Sequence, residues 1–97
     1  MVTMNVDVRT LRHRSGLTQT QFWGLVGVTQ SGGSRYETGR TMPRPVRELV
    51  RVVHVERIDL SKVSRTDFEV IAHLKRTDRA LYKQLSEAAR QVDRRKH

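Results

Sequence analysis

Residues 15–53, SGLTQTQFWGLVGVTQSGGSRYETGRTMPRPVRELVRVV, decide the fold of this chain. Glycines and threonines in this stretch stand where short helices would end or begin: Gly16, Gly27 and Gly39 at ends, Thr18 and Thr29 at starts. They predict a helix over residues 19–26, a tight turn at Gly27 and a further helix over residues 30–38. The spacing of Thr18 and Gln21 is that of a capping box, which supports the first start. A helix, a short turn containing glycine and a second helix together form the arrangement that places the second helix in the major groove of DNA.

Apolar spacing adds one helix before this pair and one after it. The earlier helix is expected to start at Asn5 or Asp7 and to carry Val8 and Leu11 on one face. Residues 40–45 are expected to form a turn, because their two prolines do not fit inside a helix. The later helix then has one apolar stripe, which consists of Val46, Leu49, Val50 and Val53.

Residues 56–97 predict a helical extension of a DNA-binding domain that occupies residues 1–55. Residues 56–63 read as a connector, Thr66 and Glu69 as a capping box, and Thr77 with Asp78 as the cap of a last helix. Apolar residues recur at helical spacing: Phe68, Ile71, Leu74, Leu81, Leu85, Ala88, Ala89 and Val92. A solvated linker would carry fewer of them. They therefore predict either a dimerisation surface or packing of the tail onto its own domain.

The charge balance favours a polyanionic partner. The formal net charge is +9, from 19 Lys and Arg against 10 Asp and Glu, and neutralised phosphates release counterions. Residues 1–55 hold eight Arg and no Lys, and guanidinium groups suit phosphate and guanine. Many small soluble proteins are basic, however, and a GC-rich genome would also favour arginine. The absence of cysteine and of any long apolar run predicts a cytoplasmic protein without disulfides or a membrane partner.

Catalytic and metal-binding patterns are not evident in the sequence. The histidines are far apart and lack the spacing of metal ligands: His13, His54, His73 and His97. His13 and His54 are better explained as surface or helix-packing residues. No Ser-His-Asp grouping, phosphate-binding glycine loop or carboxylate pair stands out. The sequence predicts a protein that is not an enzyme and uses no metal or cofactor.

Residues 9–53 closely resemble the helix-turn-helix domain of phage repressors and of bacterial xenobiotic-response-element-type regulators. The matching segments are Leu11-Arg12, Gly16-Leu17-Thr18-Gln19, Gly27-Val28-Thr29-Gln30-Ser31, Ser34-Arg35-Tyr36-Glu37, Gly39-Arg40 and Pro43. The resemblance implies an all-α, lambda-repressor-like fold of four to five helices, here with a C-terminal helical extension. It also implies a bacterial or phage origin and a homodimer that regulates transcription from paired DNA half-sites.

The resemblance further implies which residues contact DNA. Base contacts fall on the third helix, at Gln30, Ser31 and Arg35. Contacts with phosphates or with the minor groove fall at Gln19, Thr29, Arg40 and Arg44. Plainer interpretations stay open for several of these residues. Gln19 could be only a polar helix start, Ser31 only a small residue, and Arg44 only an exposed cation.

Other positions are expected to act on structure. The resemblance implies an ion pair between Arg12 and Glu37 that ties the first helix to the end of the third. Trp23 and Gly33 depart from the family, which has a small alanine and an aliphatic residue at these facing positions. Our hypothesis is an exchange of volumes in which the indole fills the space beside Gly33; the alternative is an outward ring that serves a partner. Gly32 and Gly33 also weaken the third helix, which must be stabilised by packing or by DNA, and Gly32 could instead allow close approach to the groove.

The predicted function is sequence-specific binding of double-stranded DNA by a small regulator, a repressor or autoregulator. The alternative is an antitoxin-like interaction module, in which residues 56–97 bind a partner protein and DNA binding is secondary.

Overall fold

The computed structural model describes residues 7–95, with the backbone alone for residues 93–95. Every regular element in this range is helical, which confirms the all-α prediction. The α-helices are α1 (Val8–Ser15), α2 (Gln19–Gly24), α3 (Gln30–Glu37), α4 (Arg44–Val50), α5 (Arg65–Thr77) and α6 (Arg79–Arg95). A π-helical turn, Arg51–Val55, continues α4, and a 3₁₀ turn, Leu60–Lys62, precedes α5. None of the described helices is long and apolar enough to cross a membrane.

Side chains that accept backbone N–H groups set the N-terminal ends of the first three helices. Asp7 caps α1, and Thr18 and Gln21 form the predicted capping box of α2, with reciprocal bonds of 3.1 and 3.0 Å. The Thr29 hydroxyl accepts the Gly32 N–H at 3.1 Å and starts α3. Helix α2 ends at Gly24, earlier than the predicted Val26. The alternative start at Asn5 lies outside the described residues.

A small closed core joins α1 to α4. Its buried side chains are Val8, Phe22, Trp23, Val26 and Val50. Phe22 and Trp23 are fully buried and meet edge to face, with ring centroids 5.2 Å apart. Half-buried apolar side chains surround this cluster: Leu11, Leu17, Val28, Tyr36, Met42, Val46 and Val53. Because α2 supplies both large aromatic rings, the core fixes how α2 and α3 meet.

Helix α4 begins earlier than predicted. Pro45 lies in its first turn, and Pro43 is its N-cap, so the expectation of a turn through residue 45 is wrong. The first N–H groups of a helix have no acceptor within the helix, so proline costs nothing there. Within the predicted stripe Val50 is fully buried, whereas Leu49, at the edge of the stripe, is 37% exposed.

The chain divides into two compact units, the first ending at Leu60 and the second beginning at Ser61. The first unit takes in residues 56–60, because the N–H groups of Glu56 and Ile58 donate to the carbonyls of Arg51 and Val52 at 2.8 and 3.0 Å. These bonds tie the start of the predicted extension to the π-helical turn.

The second unit pairs α5 with α6. The capping box of α5 is formed by Ser64 and Asp67, with bonds of 3.4 and 2.9 Å, and not by the predicted Thr66 and Glu69. Both pairs have the required spacing, but the earlier pair gains half a turn of helix. Asp78 accepts the Leu81 N–H at 3.0 Å at the start of α6. Thr77, predicted to share this cap, is the last residue of α5.

Candidate nucleic-acid interface

A buried carboxylate lies behind the exposed face of α3. The Glu37 side chain is 1% exposed, and its carboxylate accepts hydrogen bonds from both Nε and Nη2 of Arg12, at 2.9 and 3.0 Å. The remaining nitrogen of this guanidinium, Nη1, donates to the Leu17 carbonyl at 3.1 Å. Two parallel hydrogen bonds to one carboxylate fix direction as well as distance. The pair therefore ties α1 to the end of α3.

Two neutral groups of α2 complete the surroundings of Glu37. The indole N–H of Trp23 donates to Oε2 at 2.8 Å, and the amide nitrogen of Gln19 donates to Oε1 at 3.2 Å. Burial acts to raise the pKa of Glu37, but hydrogen bonds from Arg12, Trp23 and Gln19, with the charge of Arg12, outweigh it and lower the pKa. Glu37 is therefore ionised at neutral pH and acts only as an acceptor.

This ionised carboxylate fixes the orientation of two glutamine amides in series. Because Glu37 only accepts, Gln19 must turn its NH₂ group towards it, which leaves the Gln19 carbonyl oxygen facing the start of α3. That oxygen accepts a hydrogen bond from the side-chain amide nitrogen of Gln30 at 2.6 Å. The carbonyl oxygen and the second amide hydrogen of Gln30 remain for a further partner. We call the series Glu37–Gln19–Gln30 the amide relay.

The other residues assigned to DNA lie on α3, at its N-cap or in the segment that follows it. Ser31, Arg35, Arg40 and Arg44 are exposed, and the hydroxyl oxygen of Thr29 caps α3. Gln30, Ser31 and Arg35 share the solvent side of α3. Ser34 lies between them, one turn after Gln30, and is half-buried. Ser34 is missing from the DNA contacts that the resemblance implies, although its i+4 spacing from Gln30 places it on the same face.

Helices α2 and α3 pack directly against each other at Trp23 and Gly33. The indole is fully buried, and a β-carbon on Gly33 would overlap its Cδ1 and Cγ atoms. Gly33 is itself buried, so the ring occupies space that a side chain at position 33 would need. The ring faces the core, and its N–H reaches the Glu37 carboxylate. The packing of α3 on α2 therefore depends on a large side chain at position 23 and on the absence of a side chain at position 33.

His54 supports the same motif from behind. Its ring stacks on Phe22 at 3.6 Å with an interplanar angle of 10°, and Nε2 lies 2.9 Å from the Phe22 carbonyl oxygen. The Nε2–H group donates to this carbonyl near the end of α2, where helical carbonyls lack partners. Burial lowers the pKa of His54, and the bond to Phe22 only partly opposes this. The sequence predicts only a surface or packing role for His54, and no local pattern signals a contact 32 residues away.

Residues 9–53 match the family model described as "RsaL-like HTH domain". The chain carries a helix-turn-helix domain. In this domain α2 and α3 are the paired helices and the turn contains Gly27, which has a left-handed φ of 75°. The matched description does not name the phage-repressor or xenobiotic-response-element-type family, so that finer assignment stays a prediction. Searches of curated proteins and of solved structures returned no significant match.

The chemistry that this helix-turn-helix domain offers is recognition. Among the described residues, no group of three or more His, Asp or Glu side chains could hold a metal ion. The surface around α3 instead presents one oriented amide, small hydroxyl groups and separate guanidinium groups. In DNA-binding proteins, groups of these kinds contact phosphates and base edges.

Proposed function

We propose that the helix-turn-helix domain binds double-stranded DNA in a sequence-specific manner, with α3 in the major groove, and that the protein is a small transcriptional regulator. The amide relay carries this proposal. It holds one amide hydrogen of Gln30, at the first position of α3, and leaves the carbonyl oxygen and the second amide hydrogen of this exposed residue for a partner. Holding an exposed glutamine in one orientation costs side-chain entropy. Recognition of a base would offset this cost.

The oriented Gln30 amide suits adenine. A carbonyl oxygen and an N–H side by side match the N6 amino group and N7 of adenine, which form its major-groove edge. Ser31 and Arg35 follow on the same face of α3, where the hydroxyl accepts several bases and the guanidinium reaches guanine or a phosphate. The proposed half-site therefore contains one adenine whose identity depends on Gln30.

Phosphate contacts border this face. Gln19 keeps one amide hydrogen on Glu37 and has a second for a phosphate oxygen, while the hydroxyl hydrogen of Thr29 is available beside the cap. Arg40 and Arg44 are exposed beyond the end of α3 and supply charge to the backbone, or in the case of Arg44 to the minor groove. With a net charge of +9 the binding is expected to depend strongly on salt.

The protein acts as a homodimer on two half-sites in this proposal. A two-fold dimer of helix-turn-helix domains places its recognition helices about 34–36 Å apart, one turn of DNA. A dimer bound where its half-sites overlap a promoter would block polymerase, and repression, including repression of its own gene, is the proposed regulatory outcome.

The test is a fluorescence-anisotropy titration with DNA from immediately upstream of the gene, against a scrambled duplex, at several salt concentrations. The proposal expects tight binding to the upstream DNA that survives at physiological salt, and much weaker binding to the scrambled duplex. Gln30→Ala should abolish most of this preference. Thr66→Ala, at an exposed uncharged residue of α5, is the control. Equal binding to both duplexes that disappears as salt rises would show only charge attraction and would refute sequence-specific recognition.

A further inference from the structure

The α5–α6 unit lacks a closed core of its own. None of the side chains described for residues 61–92 is buried, whereas the first unit has fully buried aromatic rings. Large apolar side chains of both helices face solvent: Phe68 (55% exposed), Val70, Ile71, Leu81, Leu85 (49%) and Val92 (55%). Apolar side chains grouped in this way on a small unit mark an interaction surface.

Helix α6 uses one side to contact α5 and leaves the adjacent side open. Tyr82 and Ser86 are half-buried, and the Lys75 ammonium of α5 lies 5.1 Å from the centroid of the Tyr82 ring. About 90° away around the helix runs a second row, which we call the α6 seam: Leu81, Leu85, Ala88 and Val92. Its steps of four, three and four residues are those of the a and d positions of a coiled coil.

The positions of the charged residues on α6 indicate which partner surface can pack against the α6 seam. On the side away from α5 the seam is bordered by Gln84 and Gln91, which are uncharged. The charged side chains Lys83, Glu87 and Arg90 lie on the opposite side of α6. Over residues 81–92, two identical seams can therefore meet without bringing like charges of this bordering row together, despite the basic character of the chain. An acidic partner would instead require basic residues beside the seam, where this helix has glutamine.

We propose that the occupant of the α6 seam is the α6 seam of a second copy of this chain, so that two α5–α6 hairpins form a four-helix bundle. Leu81, Leu85, Ala88 and Val92 become its core, and a shallow crossing of about 20° is the geometry that such spacing favours. The use of this dimer on paired half-sites rests on the proposed function, but the dimer itself does not.

Sedimentation velocity over a range of protein concentrations, without DNA, tests the bundle. The wild-type chain is expected to sediment as a dimer. Leu85→Lys places a charge in the middle of the seam and should weaken dimerisation roughly 100-fold or more, because a lysine buried between seams has no partner. Glu87→Lys, which adds more positive charge on the opposite side of α6, should keep the dimer. Circular dichroism checks that each variant retains its helices.

Crosslinking gives a second measurement that does not depend on a destabilised variant. Because the chain has no cysteine, Ala88→Cys in the seam and Arg90→Cys outside it each carry one reactive thiol. A short bismaleimide should join two copies through position 88 and not through position 90. A wild-type monomer at all concentrations, a dimer that survives Leu85→Lys, or equal crosslinking at both positions would each overturn the proposal. A dimer that fails to prefer the upstream DNA would refute sequence-specific DNA binding but support the α6 seam as the dimer interface. A monomer that prefers this DNA would support DNA binding and refute the α6 seam.

Discussion

The indole N–H of Trp23 donates to Glu37 Oε2 over 2.8 Å, so that one side chain belongs both to the hydrophobic core and to the polar contacts behind α3. Arg12 and Gln19 reach the same carboxylate from α1 and α2. Core packing and the orientation of the surface amide Gln30 are therefore coupled through Glu37. Substitutions at these positions separate the two effects.

Trp23→Ala is expected to destabilise the protein by about 3–5 kcal/mol, because it removes a fully buried ring and leaves a cavity. Loss of the bond to Glu37 acts in the same direction. Urea unfolding followed by circular dichroism measures the effect. Leu25→Ala, at a side chain that is 58% exposed, is the control and should change stability little. A Trp23→Ala protein that unfolds like the wild type would show that the ring does not support the core.

Gly33→Ala is expected to destabilise the protein, although alanine favours helix, because its β-carbon would overlap the Trp23 ring. Gly24→Ala is the matched control: no atom lies within 4 Å of the added β-carbon, so this change, at the last residue of α2, should stabilise the helix by at most about 0.5–1 kcal/mol. Thermal unfolding compares the two. In a Trp23→Ala background the penalty at position 33 should disappear. A penalty of the same size with and without the ring would contradict direct contact as its cause.

Glu37→Gln is expected to cost about 3 kcal/mol, because it leaves the Arg12 guanidinium without its ionised partner in a largely buried place. The pH dependence follows from the lowered pKa of Glu37, whose ordinary value is 4.5. The stabilisation is complete above that value and is lost as the pH falls through the lowered pKa. Urea midpoints from neutral to acid pH should therefore fall less steeply for Glu37→Gln. An unchanged slope would show that Glu37 is not the titrating group.

His54 is expected to make stability depend on pH nearer neutrality. Its pKa is lowered from 6.5 by burial against Phe22, so its contribution is complete above 6.5 and is lost as the pH falls through the lowered pKa. His54→Gln, which can still donate to the Phe22 carbonyl, should reduce the loss of stability on acidification from pH ~7 to ~5. His73→Gln, at an exposed side chain of α5, is the control for the loss of a histidine. Equal slopes in all three proteins would rule out His54.

The sequence predicts this fold well where the decisive interactions are local. Thr18, Gln21 and Thr29 satisfy donors within three residues of themselves, and Gly27 takes the left-handed conformation that its turn needs. For α5 the predicted start is wrong, because two capping boxes of equal spacing overlap there and the structure uses the earlier one. The correct one could be chosen only from the whole length of the helix.

Contacts between distant residues were predicted only in part. Resemblance suggested an Arg12–Glu37 pair, and facing positions suggested that Trp23 fills the space at Gly33. No local pattern indicates that Gln19 donates a hydrogen bond to a carboxylate 18 residues later. Nor does one indicate that the carbonyl oxygen of Gln19 then accepts a hydrogen bond from Gln30. Such contacts depend on how α2 and α3 pack, and the side chains that set this packing are Trp23 and Gly33.

The amide relay leads to a prediction about base specificity. Gln30→Ala should cost about 1–3 kcal/mol on a half-site with adenine at the contacted position and much less with other bases there. Gln19→Ala should remove part of the same discrimination, because it frees the Gln30 amide to rotate, and the double variant should lose less than the sum of the two.

Anisotropy titrations of the four proteins against half-sites that differ at one base pair measure this coupling. Arg40→Ala is the control: loss of a phosphate contact should weaken binding to every sequence and lower its salt dependence by about one counterion. Additive losses in the double variant would show that Gln19 and Gln30 act independently on DNA, and that the amide relay does not determine how Gln30 reads a base.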